Sequence, residues 1–158
     1  MSVSEGSKAP AFRGMTTAGK EVSLEDYANK ALILFFYPKD DTPGCTKEAC
    51  AFRDSYEALV ARGVALLGVS KDSIASHQKF IEKYHLPFPL LSDPEGELLE
   101  AFGVWREKNM YGKKVMGVER STFLIDGEGV VRKVWRRVKV DGHVEAVARA
   151  LDALTGQA

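Results

Sequence analysis

The sequence predicts an α/β fold, with a mixed central β-sheet sandwiched by helices. Three observations carry this. Short, strongly apolar runs alternate with longer amphipathic ones. Two further strand-like runs flank Gly127-Glu128, a hairpin signal that adds antiparallel strands at the edge. The 158 residues, 45% apolar and 28% charged, suit a single domain over 1–158 with one core.

The elements follow in chain order. A small hairpin is expected around TTAGKEV (16–22). ALILFFYP (31–38) is a continuous apolar run and reads as a buried strand stopped by Pro38. PGCTKEACAFRDSYEALVARG (43–63) reads as a helix, because Ala49, Phe52, Tyr56, Leu59 and Val60 recur at helical spacing and Gly63 ends it. VALLGVS (64–70) is a second buried strand. SIASHQKFIEKYH (73–85) is a second helix with Ile74, Phe80, Ile81 and Tyr84 turned inward. PFPLLSD contains a short extended piece, and GELLEAFGVW a short helix. RSTFLID (120–126) and GVVRKVWR (129–136) form the hairpin, and DGHVEAVARALDAL (141–154) closes the fold as a last helix. Only the first eight or so residues and the final TGQA look loose.

Charge and hydropathy exclude several classes. Lys plus Arg is 22 and Asp plus Glu is 22, so no net field draws in nucleic acid or an anionic membrane. The basic stretch RKVWRRVKV (132–140) alternates as a strand with one solvated face and does not argue for nucleic acid. MSVSEGSKAPAFRG lacks the apolar core of a signal peptide, and ALILFFY is too short to span a bilayer. These features point to the cytoplasm, where two cysteines are poor candidates for a permanent staple. His77, His85 and His143 are scattered without metal-ligand spacing and read as exposed or locally bonded. Trp105 reads as packing.

Chemistry concentrates in YPKDDTPGCTKEACAFRD (37–54), which holds both cysteines. Thr42 precedes Pro43, a residue favoured at the first helical position, and so reads as the N-cap with its hydroxyl accepting from Gly44 or Cys45 N–H. Cys45 then lies in the first turn, where free N–H groups and the positive helix end collect. A thiol in such a place is shifted toward thiolate, into a range of roughly 3.5–7.5. Gly44, without a side chain, lets a small molecule approach those N–H groups. The competing reading is that Cys45 and Cys50 are small core residues, a common fate of free cysteine. Five residues of intact helix separate their Cα atoms by about 8.6 Å, beyond the roughly 4.4–6.8 Å a disulfide needs. The two can join only if the first turns unwind.

Pro38-Lys-Asp-Asp-Thr42-Pro-Gly-Cys45 resembles the Pro-x-x-x-Thr-x-x-Cys motif of the peroxiredoxins. The second cysteine five residues on is similar to the bacterioferritin comigratory protein, or PrxQ, group. GVSKDS (68–73), LLSDPEG (90–96), FGVW (102–105) and ERSTFLIDGEGVV (119–131) support it, and the resemblance runs from about residue 5 to about 155. It implies a thioredoxin-like fold with an N-terminal β-hairpin extension. It implies a thiol peroxidase acting on hydrogen peroxide and organic hydroperoxides, with Cys45 peroxidatic and Cys50 resolving through an intramolecular disulfide. Thr42 would be a peroxide-binding hydroxyl, Arg120 the active-site arginine, Pro38 a shield over the sulfur, and Glu48 the residue that orients the arginine. The resemblance further implies no metal, haem or flavin, a monomer, and recycling by thioredoxin, with glutaredoxin or glutathione as alternatives. Alternation independently places Val118, Arg120, Thr122 and Leu124 on one strand face, where a lone arginine needs a partner. A disulfide exchanger on the same fold would use Cys-x-x-Cys, but Thr42 stands where its first cysteine would be. A non-catalytic holdase or redox-sensing protein would instead be indifferent to Cys45→Ser.

Overall fold

The computed structural model describes residues 3–155. Its strands are β1 (Arg13–Thr16), β2 (Glu21–Ser23), β3 (Ala31–Phe36), β4 (Val64–Ser70), β5 (Leu90–Ser92), β6 (Trp105–Met110), β7 (Lys113–Val118), β8 (Ser121–Ile125) and β9 (Val131–Trp135). The helices are α1 (Pro43–Ala61), α2 (Ile74–Tyr84), α3 (Glu97–Ala101) and α4 (His143–Thr155), with one 3-10 turn over Leu24–Tyr27.

Seven strands form one sheet in the order β2-β1-β5-β4-β3-β8-β9. β3 pairs in parallel with β4, and β4 with β5. β8 and β9 join antiparallel on one side, and β1 and β2 on the other, so the sheet is mixed as expected. β3 is central and apolar on both faces, and the period of two divides its residues between two cores. Leu32, Leu34 and Phe36 pack with Leu67, Val69, Phe102, Val104 and Phe123. Ile33, Phe35 and Tyr37 pack on the other face with Cys45, Ala49 and Phe52 of α1, Phe80 of α2 and Val147 of α4. Phe52 is fully buried, its ring stacked on Phe35 at 4.7 Å between centroids.

The register positions the site. Phe36, the last residue of β3, lies opposite both Val69 of β4 and Ser121 of β8. The loop from β3 into α1 and the residue just before β8 therefore meet at one end of the sheet. That end carries the carboxyl termini of the parallel strands, where open α/β sheets bind ligands.

Three expectations change, and one sheet is added. The Gly127-Glu128 turn is longer than a tight hairpin: Asp126 Oδ1 accepts from the N–H groups of Glu128 and Val130, at 2.9 and 3.0 Å, and β9 starts only at Val131. β9 ends at Trp135, so residues 136–140 do not continue a strand; Arg136 turns to lie over the Phe123 ring and donates to Val3 O. The N-terminal segment is not loose over residues 5–9. Gly6 N–H donates to Val131 O and Ala9 N–H to Gly129 O, both at 2.8 Å, and Lys8 bridges Val130, which covers the β9 edge. Residues 1–2 and 156–158, also expected to be loose, lie outside the described residues. Finally, β6 and β7 form a separate two-stranded sheet that periodicity does not announce.

Candidate active site

α1 begins where β3 delivers the chain. Thr42 is its N-cap by backbone geometry, with φ −100° and ψ 156°, and Thr46 N–H donates to Thr42 O at 2.8 Å. Its side chain makes no cap. The hydroxyl donates instead to Lys39 O at 2.9 Å. That is a correction to the expected cap: the hydroxyl bonds as a donor to the carbonyl three residues back, a local side-chain-to-backbone bond, and accepts from no first-turn N–H. The turn after Thr42 keeps its free donors beside Cys45.

Cys45 is 2% exposed. Its residue packs into the aromatic core beside Tyr37, Phe35 and Phe52, which is the core-residue reading in part. Its sulfur nonetheless receives a charged donor: Arg120 Nη2 lies 3.3 Å from Sγ. The other guanidinium nitrogen, Nη1, donates to Glu48 Oε1 at 2.7 Å. Arg120 is reached from β8 and Glu48 from the next turn of α1, so one guanidinium ties sheet to helix across the sulfur. Gly44 makes this possible: a Cβ there would stand 3.1 Å from Arg120 Nη2. The expected role of Gly44, access for a small molecule, is thus joined by access for the guanidinium.

The electrostatics follow from burial. Glu48 is fully buried and its Oε2 has no hydrogen-bond partner. Burial pushes its carboxyl up to about 7, against the pull of Arg120. Burial works against charge on Arg120, but Glu48 and Cys45 outweigh it and its pKa rises. His143 is buried beside the same group; burial, and then Arg120, lower its pKa to about 4. Its Nε2 lies 2.8 Å from Thr122 Oγ1, with the ring edge-on to Phe52 and Trp135.

Of the residues singled out in the sequence, Cys45, Glu48, Arg120 and Gly44 converge. Thr42 stands at the same helix mouth. Pro38 is exposed at the end of β3 and takes no part in the hydrogen-bonded set. Cys50 is half-buried further along α1, and both thiols are free in a wound helix. Sequence reasoning misses Lys108. It lies on β6, its stem crossing Gly117 of β7, and burial and Arg120 lower its pKa while Cys45 and Glu119 act in the opposite sense. It also misses the pairing of His77 with Asp40, whose side chains lie 2.7 Å apart in the interior. Neither His77 nor His143 is exposed, so local bonding is the correct half of that expectation.

A cysteine at a helix mouth, addressed by a guanidinium and carried on a thioredoxin-like sheet, is the arrangement of a thiol-dependent peroxidase. The chain belongs to the AhpC/TSA family, whose model matches residues 6–134. Its relatives narrow the class to peroxiredoxins of the Bcp or PrxQ type. Peroxiredoxin Bcp of Bacillus subtilis is 52% identical over 154 residues, covering 98% of this chain and 96% of the relative. A cysteine-to-serine variant of PrxQ from Xylella fastidiosa superposes with TM-score 0.92 at 39% identity, covering 98% of both chains. The bacterioferritin comigratory protein of Xanthomonas campestris superposes with TM-score 0.87 at 45% identity, covering 91% of this chain and 92% of that one. That protein was studied for alkyl peroxide reduction through trapped intermediate and ligand complexes. The enzyme described here reduces peroxides with electrons from a thiol reductant. No helix among the described residues is long and apolar enough to cross a membrane.

Proposed function

We propose that Cys45 is the peroxidatic thiol and Cys50 the resolving one, acting on hydrogen peroxide and on organic hydroperoxides. The observation that carries this reading is the Arg120 guanidinium, which donates to Cys45 Sγ with one nitrogen and to Glu48 with the other.

The ionised sulfur attacks the O–H oxygen of the peroxide in line with the O–O bond. An S–O bond forms, the O–O bond breaks, and the leaving oxygen departs as alkoxide or hydroxide and takes a proton to become alcohol or water. Cys45 is left as sulfenic acid. Arg120 holds negative charge at the sulfur in the ground state and meets the charge that spreads onto the oxygens in the transition state. Thr42, whose proton is given to Lys39 O, offers its oxygen lone pairs to the peroxide O–H. Gly44 leaves room for both the guanidinium and the substrate. Pro38 limits the approach of bulk water to the sulfur. Glu48 positions the arginine.

The first turns of α1 then unwind, and the Cys50 thiol condenses with the sulfenic acid, releasing water and forming the Cys45–Cys50 disulfide. An external dithiol reduces it by exchange, and thioredoxin is the proposed donor ahead of glutaredoxin or glutathione. We assign the working form to a cytoplasmic monomer of one domain. Peroxide consumption coupled to thioredoxin and its reductase tests the assignment: Cys45→Ser should abolish it. A Cys45→Ser protein that still consumes peroxide overturns the reading.

A further inference from the structure

One buried, polar cluster plays no part in the steps above. His77 of α2 is fully buried, and the Asp40 side chain facing it is 4% exposed. His77 Nδ1 lies 2.7 Å from Asp40 Oδ2, and its Nε2 lies 3.0 Å from Leu91 O. Both ring nitrogens thus face oxygen acceptors. A neutral imidazole has a single N–H, and whichever nitrogen lacked it would set a lone pair against an oxygen. The alternative, a proton on Asp40, conflicts with the rest of the carboxyl's surroundings. Tyr37 donates its hydroxyl to Oδ1 at 2.6 Å and Ser76 donates to Oδ2 at 2.7 Å. The proton between Nδ1 and Oδ2 is the same in either form, but on Oδ2 it would make that oxygen an acid hydroxyl, a poor acceptor for Ser76, whereas a carboxylate takes both short hydroxyl bonds as charge-assisted ones. The Tyr37 hydroxyl is also 3.4 Å from Nδ1, but its proton is committed to Asp40. Asp72 adds the next layer: its Oδ2 accepts from Asp40 N–H at 2.8 Å and from the Ser70 hydroxyl at 2.6 Å. Asp40, Asp72 and His77 place ligand atoms within 4.8 Å of one another, as a cation site would, yet the bonds just given already occupy the facing atoms.

The cluster sits under the reactive loop. Asp40 lies between Phe36, where β3 ends, and Pro43, where α1 begins. Its neighbour Asp41 has φ 57° and is held by Lys83 and by the Tyr84 hydroxyl, each at 2.8 Å. Both aspartates therefore fasten the loop to α2, and the buried one does so away from solvent screening.

We infer that His77 is held as an imidazolium paired with Asp40, and that this pair is a positioning device for the loop that aims Thr42 and Cys45 at Arg120. The effect on rate rests on Cys45 being the peroxide-reacting thiol; the ion pair itself does not. Unwinding during resolution then starts at Pro43 and leaves residues 38–42 fixed.

The direct test is the imidazole nitrogen spectrum of 15N-labelled, reduced wild-type protein at pH 7. Protons on both His77 nitrogens are expected, and one bare nitrogen overturns the inference. The kinetic arm uses His77→Gln and Asp40→Asn. Each should slow peroxide oxidation of Cys45 by about ten- to a hundredfold, the scale of a catalytic group misplaced by about an ångström. The double variant should be no slower than the worse single one, since the two act as a unit. Folded variants that react at the wild-type rate overturn the positioning role. If the variants do not fold, the wild-type spectrum alone decides the ion pair. Peroxide consumption surviving in Cys45→Ser would sink the thiol assignment, while the nitrogen spectrum would still decide the charge on His77.

Discussion

Arg120 Nη2 stands 3.3 Å from the sulfur of Cys45, with the rest of the guanidinium anchored on a buried carboxylate. The arginine side chain is only 16% exposed, so its charge acts on the sulfur with little screening by solvent. A fork that grips two partners at fixed angles cannot be replaced by a point charge on a flexible stem.

Arg120→Lys should therefore retain a cation and still lose most of the reactivity. A fall of about 10²–10³ in the rate of Cys45 oxidation is expected, as for removal of one preorganised donor at a developing charge. Stopped-flow oxidation by hydrogen peroxide, compared at equal thiolate fraction, measures it. A rate within threefold of wild type, roughly 0.65 kcal/mol in the barrier, would leave Arg120 without this role.

Gly44→Ala sets two effects against each other. Alanine is the better helix former by roughly 1 kcal/mol, so the variant should melt at a higher temperature. The new methyl stands 3.1 Å from Nη2, tighter than ordinary contact, and must displace the guanidinium by a few tenths of an ångström. Peroxide oxidation should slow by about tenfold, the smaller cousin of a full misplacement. Calorimetry and stopped flow on the same preparation separate the two.

Glu48 and His143 predict opposing slopes of stability with pH. Glu48 is raised from 4.5 to about 7, so the folded protein holds a proton that the unfolded chain has released. Its contribution is complete below pH 4.5 and is lost as pH rises through 7. His143 is lowered from 6.5 to about 4, so the unfolded chain binds the proton first. Its contribution is complete above pH 6.5 and is lost as pH falls through 4. Wild type should be nearly flat between pH 4.5 and 6.5. Relative to it, His143→Gln should lose stability as pH rises across that window, and Glu48→Gln should gain. The changes reach a few kcal/mol at most, since one pKa unit is worth ~1.4 kcal/mol. Urea unfolding at four or five pH values reads them; parallel curves for all three proteins would contradict both assignments.

Cys50→Ser separates reaction from resolution. The sulfurs sit on a wound helix, where five residues hold Cα atoms about 8.6 Å apart. The first peroxide turnover should proceed near the wild-type rate, and thioredoxin-dependent cycling should then stop. In wild type, one equivalent of peroxide should reduce helical ellipticity as the first turns melt. Unchanged ellipticity in a sample whose disulfide is confirmed by mass would refute the unwinding step.

The parts of the fold legible in the sequence are those where one force dominates. β3 and β4 are unbroken apolar runs buried on both faces, and α1 announces itself by Ala49, Phe52 and Leu59 at helical spacing. Cys45, Glu48 and Arg120 are legible because a short motif and a resemblance put them together; Cys45 and Arg120 are 75 positions apart, and no periodicity joins them. The β6–β7 hairpin is not legible. Glu107, Lys113 and Lys114 are exposed, and Trp105 with Val118 at the base carries most of its apolar contact, so the period-two signal is missing. Tyr111-Gly112, with φ 52° and 79°, is a turn that could have marked it. His77 looks isolated along the chain because its partners, Asp40 and Leu91, lie 37 and 14 positions away. The Thr42 hydroxyl is not assignable from sequence because it can accept from a first-turn N–H or donate to a nearby carbonyl, and only the folded loop decides which.

That hydroxyl's choice has a consequence for timing. A side-chain cap is worth about 1 kcal/mol, and the helix that carries Cys45 goes without it. The first turn also lacks any acidic side chain to answer its dipole. In the mechanism proposed above, the anion that answers it is the Cys45 thiolate. When an oxygen atom is transferred and that charge is quenched, the helix loses its counterion at the moment it must fray. The oxidant, by discharging the sulfur, loosens the lid on its own repair.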